Sequence, residues 1–183
     1  KYYQVYTSKV TERTKDPVGG GELSYVVTDT AQPDAWGNVT SGGSLPGIVV
    51  TTFAADLTTV VKKMWTYNNY GTTDYEKQFS RLKAALVGHE RPGQPTIQRT
   101  SNFTYYGSGD GKLQGLLKTE SVSTPDGSTT ATTTYQYDAF GNKNKITRSA
   151  SGLTDRYEIA EYDAVGRFVV SKKSPFYNGS AWV

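Results

Sequence analysis

Few residues of this chain have types and spacing that could do chemistry. His89 is the sole histidine and cysteine is absent. A hydroxyl nucleophile would therefore have one imidazole to draw on, and no nucleophile elbow accompanies it. One histidine without thiolates also leaves too few soft ligands for zinc. His89, at a strand end before Arg91-Pro92-Gly93, reads as a surface or turn residue. Paired carboxylates could hydrolyse a glycoside if they faced each other across a cleft. Glu158 and Glu161 stand an odd number of residues apart on a predicted strand, so they point to opposite faces. Glu161 and Asp163 share a parity, but Asp163 is needed by a turn. The stretch Gly107 to Lys112 supplies Asp110 alone, where a calcium loop wants acids at alternating positions. The residues thus predict no catalytic, cofactor-binding or metal site.

The acids that do recur by spacing are structural. Tyr137, Asp138 and Gly141 are repeated as Tyr162, Asp163 and Gly166, with Asn142 and Arg167 following. Asp34, Ala35, Trp36, Gly37 and Asn38 form a third copy, in which Pro33 replaces the tyrosine. Asp at the first position of a type I turn accepts backbone N–H bonds, and glycine at the fourth takes positive φ. A type I turn closed by a left-handed glycine makes a three-residue hairpin loop with a bulge. Each copy is therefore expected to fold one strand back on the one before it.

The elements that carry these turns read as strands. Lys15 to Glu22 is a Pro- and Gly-rich turn with Leu23 to Thr30 returning from it, and the apolar run Tyr2 to Tyr6 is expected to begin a strand covered on both faces. A flexible insertion at Ser41 to Gly47 precedes Ile48–Phe53 and Thr58–Tyr67, two predicted strands around the turn-like Ala54 to Leu57. Tyr75, Phe79, Leu82 and Leu86 recur at helical spacing, with Thr73 or Asp74 as a cap and Gly88 as a stop. The run Arg81 to Val87 nevertheless matches Leu116 to Val122, which reads as a strand. Internal similarity favours a loop or helical turn near 72 to 79 and then a strand. Five strand-turn-strand units result, turning near 34–38, 68–79, 107–115, 138–142 and 163–167. The fold class expected is all-β, built of antiparallel hairpin repeats in a curved or spiralling sheet.

Composition bounds the function. The 183 residues suffice for one domain, yet apolar residues are 36% and the aromatic set is mostly tyrosine, which suits sheets with broad wetted faces. The formal charge of +3 comes from scattered groups. Lys143, Asn144, Lys145 and Arg148 form the nearest basic cluster and read as the solvated face of a strand, so no nucleic acid is expected. No apolar run approaches the ~20 residues of a membrane span. The chain starts at Lys1 and carries no signal peptide, so it is expected to be a piece of a longer protein. Asn-x-Ser/Thr sites at Asn38, Asn102 and Asn178 matter only if the source glycosylates secreted proteins.

The stretches Tyr135 to Thr147 and Ala160 to Val170, with Pro33 to Thr40 and the tyrosine-asparagine variant Trp65 to Ala85, resemble the repeats of the Rhs/YD-repeat family. That family includes bacterial Rhs proteins, shell-forming components of insecticidal toxin complexes, and teneurins. The resemblance covers most of residues 25 to 175 and implies a spiral of hairpins curled into a hollow shell around a C-terminal toxin polypeptide. Asp16-Pro17-Val18-Gly19 matches the tetrapeptide of the family's self-cleaving segment, but it precedes the repeats and lies between two strands. It reads as a plain turn.

The function expected is that of a non-enzymatic structural segment of such a shell, secreted or displayed on a bacterial surface. Its partners would be the rest of its own polypeptide, the encapsulated toxin and other toxin-complex subunits. The alternative is a cell-surface glycan- or receptor-binding module, with tyrosines such as Tyr105 and Tyr106 exposed for contact. No cofactor is expected.

Overall fold

The computed structural model describes residues 5–40, 46–71 and 79–174. It is all-β, an open sheet of eleven strands in strict chain order. The strands are β1 (Lys9–Lys15), β2 (Glu22–Thr30), β3 (Ile48–Phe53), β4 (Val60–Asn69), β5 (Ala84–Glu90) and β6 (Ile97–Tyr105), then β7 (Leu117–Ser123), β8 (Thr130–Tyr137), β9 (Lys143–Ala150), β10 (Arg156–Tyr162) and β11 (Val169–Lys173). By backbone proximity the chain divides into two compact units, 1–100 and 101–183, with the boundary inside β6.

In the first unit the pairs β1–β2, β2–β3, β3–β4 and β4–β5 are all antiparallel. Directly opposed residues share a face, so the register sorts side chains into rows. Asp29, Val49, Trp65 and Gly88 make one row on one face, and Thr28, Val50, Met64 and His89 make a row on the other. The expected strand at Tyr2 to Tyr6 differs from the structure. Residues 5–8 precede any strand, β1 begins at Lys9, and residues 1–4 lie outside the described residues. In the helical-looking stretch, β5 begins at Ala84, where the β-favouring partner strand β4 can pair it through Asn69, and residues 72–78 lie outside the described residues.

In the second unit β6–β7, β7–β8, β8–β9, β9–β10 and β10–β11 are likewise antiparallel. One face carries Thr104, Thr119, Thr134 and Thr147 in one row and Asn102, Ser121, Thr132 and Ser149 in the next. The Thr104 and Thr119 hydroxyls hydrogen bond across the strands at 2.6 Å. The other face carries Glu120, Tyr135, Ile146, Arg148 and Glu158.

Burial is thin. Among the described residues the buried apolar side chains are Val27 and Tyr135, at 5% and 9% exposure, and Asn38 is the buried polar one at 4%. A sheet normally buries one face against a second layer. Here the tyrosine and threonine side chains cover their own sheet.

Candidate functional site

In an antiparallel meander, consecutive connections lie at opposite ends of the strands, so every second connection shares an end. The two Tyr-Asp-x-x-Gly turns of the second unit, at Asp138 and Asp163, therefore share one end. In the second unit the connections β6–β7, β8–β9 and β10–β11 lie side by side at that end.

The local chemistry of these turns follows from their acids. Asp138 N–H donates to the Asn142 carbonyl at 3.0 Å, and Gly141 N–H donates to the Asp138 carbonyl at 3.1 Å. Gly141 has φ 87°. The Asp138 Oδ1 accepts from the N–H groups of Phe140 and Asn142 at 2.8 and 2.9 Å, and its Oδ2 accepts from the Asn142 side-chain amide at 3.1 Å. Asp34 repeats this arrangement with Trp36 and Asn38 at 2.9, 2.9 and 3.2 Å, and Gly37 has φ 84°. Desolvation raises the Asp138 carboxyl pKa, but the hydrogen bonds from Asn142 and Phe140 outweigh it and hold the group below its ordinary value.

The copy at Asp163 departs from the expected three-residue loop. Asp163 N–H donates to the carbonyl of Phe168, so Arg167 falls inside the loop and the turn is one residue wider. Gly166 still takes positive φ, at 68°. Arg167 has no short amide to match Asn142. Asp163 Oδ1 instead accepts the N–H groups of Arg167 and Phe168, at 2.6 and 3.2 Å.

The tyrosine of the repeat has a separate task. Tyr137 is the last residue of β8, and its hydroxyl donates to the carbonyl of Leu117, the first residue of β7, at 2.8 Å. Tyr162 ends β10 and donates likewise to the Lys143 carbonyl at the start of β9, at 3.3 Å. The β7–β8 register stops at Thr119 with Thr134, and the β9–β10 register at Lys145 with Ile159. The hydroxyl thus meets a carbonyl beyond the end of the backbone ladder, where it would otherwise lack a strand partner.

Tyr105 and Tyr106, expected to be exposed, are both half-buried. The Tyr106 ring stands edge-on to Tyr137 at 5.8 Å between centroids, and its hydroxyl donates to the Tyr135 carbonyl at 2.9 Å. These two contacts hold Tyr106 against β8.

The basic cluster is also not one solvated face. A bulge between Gln136 and Tyr137 turns Lys143 to the face of Tyr135, whose ring lies 4.2 Å from its ammonium, while Lys145 stays on the opposite face over Tyr157 at 5.4 Å. Arg148 pairs with Glu158 at 2.6 Å, and Lys172 approaches the same carboxylate at 3.6 Å. Bonding to Arg148 first, then its charge, lowers the Glu158 pKa, the reverse of what a general acid needs. Glu161 faces away from Glu158 and pairs with Lys173 at 2.7 Å.

The remaining candidates fall into structural places. His89 is half-buried opposite Met64. Among the described residues no group of three or more His, Cys, Asp or Glu is placed to hold a metal ion. Asp110 caps a 3-10 turn at Ser108–Leu113 by accepting Gly107 N–H at 2.6 Å. Asp16 accepts Val18 N–H at 2.9 Å in the β1–β2 turn. Buried Asn38 is tied to Asp34, whereas Asn102 is exposed, and Asn178 lies outside the described residues.

Two turn acids at the opposite ends of the strands escaped the repeat pattern. Asp56 accepts from Thr58 and Thr59 N–H at 2.9 and 2.8 Å, and Asp126 from Ser128 N–H at 3.1 Å. Both occupy the second position of a four-residue loop, 55–58 and 125–128, next to Leu57 and Gly127 with φ 61° and 71°. An acid followed at once by a left-handed residue and then Ser or Thr was the available signal.

No family model matches the chain, and no curated protein matches it.

Proposed function

We propose that the chain is a structural segment of a Rhs/YD-repeat-like shell, secreted or surface-delivered by a bacterium, that contains a toxin polypeptide until delivery. The observation that carries this reading is the linkage of successive turns. The Asn142 amide reaches the Gly166 carbonyl at 2.8 Å, and the Phe140 ring covers the bare Cα of Gly166. Such contacts let a sheet grow hairpin by hairpin while every inner strand keeps both neighbours, which limits free edges to the two ends.

The thin burial supports the same reading. Among the described residues no second layer covers the sheet, which leaves one face for surrounding water and one for contents, and the second unit's two faces differ in kind. One is a hydroxyl array, and the other bears Tyr135, Glu120 and the Arg148–Glu158 pair. Containment needs a wall of this type and asks for no reactive group in it.

The test is deletion of residues 101–173 from the full-length parent polypeptide, followed by limited proteolysis of the region downstream of the repeats. Loss of its protection is expected. A downstream region equally protected without the segment, or a parent with no downstream polypeptide to protect, would overturn the proposal.

A further inference from the structure

We infer that the first unit carries a site for a soft monovalent cation, copper(I), between Met64 and His89, a property that goes beyond containment and does not depend on it. The chain has one methionine and one histidine, and it has no cysteine. These two residues come from different strands, yet the β4–β5 register sets them directly opposite each other. Met64 is 37% exposed and His89 is half-buried, so both are seated in the sheet and still open to a small ion.

Opposed residues of an antiparallel pair hold their Cβ atoms about 4.5–5.5 Å apart. The methionine sulfur and the nearer imidazole nitrogen stand equally far beyond Cβ along their side chains. One ion can therefore sit between them with no change in the backbone. The unbranched methionine turns its sulfur to suit the ion, while the imidazole presents a lone pair of fixed direction.

The pair also selects which ion. Thioether sulfur favours copper(I), and imidazole suits copper as well. A closed-shell monovalent ion is satisfied by two donors in line, whereas zinc takes four ligands and calcium six or more oxygens. Among the described residues no group of three or more His, Cys, Asp or Glu is placed to supply such a shell. The neighbours on this face agree. Val50 lies opposite Met64 on its other side, Val87 stands opposite Thr66 one row along, and Lys62 stands opposite Thr52 one row the other way. None of these neighbours offers a carboxylate to a hard cation. The Lys62 ammonium repels a divalent ion twice as strongly as a monovalent one.

The experiment titrates the intact 183-residue chain with silver(I) nitrate, a redox-inert stand-in for copper(I), in chloride-free buffer. NMR follows the methionine methyl and the histidine ring, and one residue of each type makes both assignments unambiguous. The two signals are expected to shift together and to saturate at one ion per chain. Copper(I) supplied under nitrogen should give the same joint shift. Met64→Leu, which keeps the side-chain volume, and His89→Gln should each melt with the parent and bind about a hundredfold more weakly, because each removes the ligand that makes the second bond intramolecular. A histidine signal that shifts alone, or a Met64→Leu variant that binds silver(I) as tightly as the parent, would overturn the inference. So would zinc(II) or calcium(II) producing the joint shift at a lower concentration than silver(I).

Discussion

The side-chain amide of Asn142 donates to the carbonyl of Gly166 at 2.8 Å while also donating to Asp138 Oδ2 at 3.1 Å. One residue therefore closes its own turn and ties it to the turn that follows 24 positions later. Asn142→Ala removes both bonds and leaves the half-buried Gly166 carbonyl without this donor. It is expected to cost about 1–2 kcal/mol in urea denaturation, and Asn142→Asp, which cannot donate, should be no better. Unchanged midpoints would separate the two turns energetically.

Gly166 and Gly141 both have positive φ, but their neighbours differ. A Cβ on Gly166 would meet Phe140 at 2.5 Å, whereas on Gly141 the nearest atom is Leu116 Cδ1 at 4.0 Å. Gly141→Ala should cost about 1 kcal/mol for its backbone conformation alone. Gly166→Ala should cost more, and Phe140→Ala should recover part of the difference. A double-mutant cycle with no coupling between positions 140 and 166 would contradict the contact.

Tyr137→Phe keeps the ring and removes the hydroxyl that caps the Leu117 carbonyl. The expected loss is about 1 kcal/mol by chemical denaturation. Tyr162→Phe, whose bond is longer at 3.3 Å, should lose less. Equal effects would mean that capping is not what the tyrosine does.

Asp56 and Asp126 have pKa values lowered to about 2, first through the hydroxyls of Thr59 and Thr124 respectively. In the unfolded chain each would titrate near the ordinary carboxylate value of 3.8. A depressed carboxyl stabilises the fold above the unfolded pKa, so this contribution should fade as pH falls from about 4 to about 2. The fade should be smaller in an Asp56→Asn, Asp126→Asn double variant, measured by thermal melts across that window.

At the alkaline end, burial and then the bond to Glu120 push the Tyr135 pKa up to about 12, against an ordinary phenol value of 10.0. Its hydroxyl donates to Glu120 at 2.6 Å. A raised pKa gives stability that is complete below pH 10 and is lost as pH rises through about 12. Absorbance titration of tyrosinate should show a late component that vanishes in Tyr135→Phe.

The turns were legible because their information is local. Asp138, Gly141, Asp34 and Gly37 use hydrogen bonds within five residues and a backbone angle that glycine favours. The wider loop at Asp163 was not legible, because Arg167 replaces the asparagine whose amide closes the shorter form, and where the ladder then resumes depends on β11. The split of Lys143 from Lys145 was hidden for a similar reason. A bulge reverses side-chain parity, and alternation read along one strand cannot reveal it.

By itself the sequence determined an all-β chain of antiparallel hairpins, since strand-forming alternation and turn chemistry act over a few residues. The tertiary structure alone decided which residues meet across strands: Trp65 over Gly88, Phe140 on Gly166, and the Tyr137 hydroxyl on Leu117. Those meetings depend on register, and register is a property of pairs. Gly88 shows the difference most plainly. Along the chain it resembled a helix stop, yet in the sheet it is the floor on which a tryptophan lies.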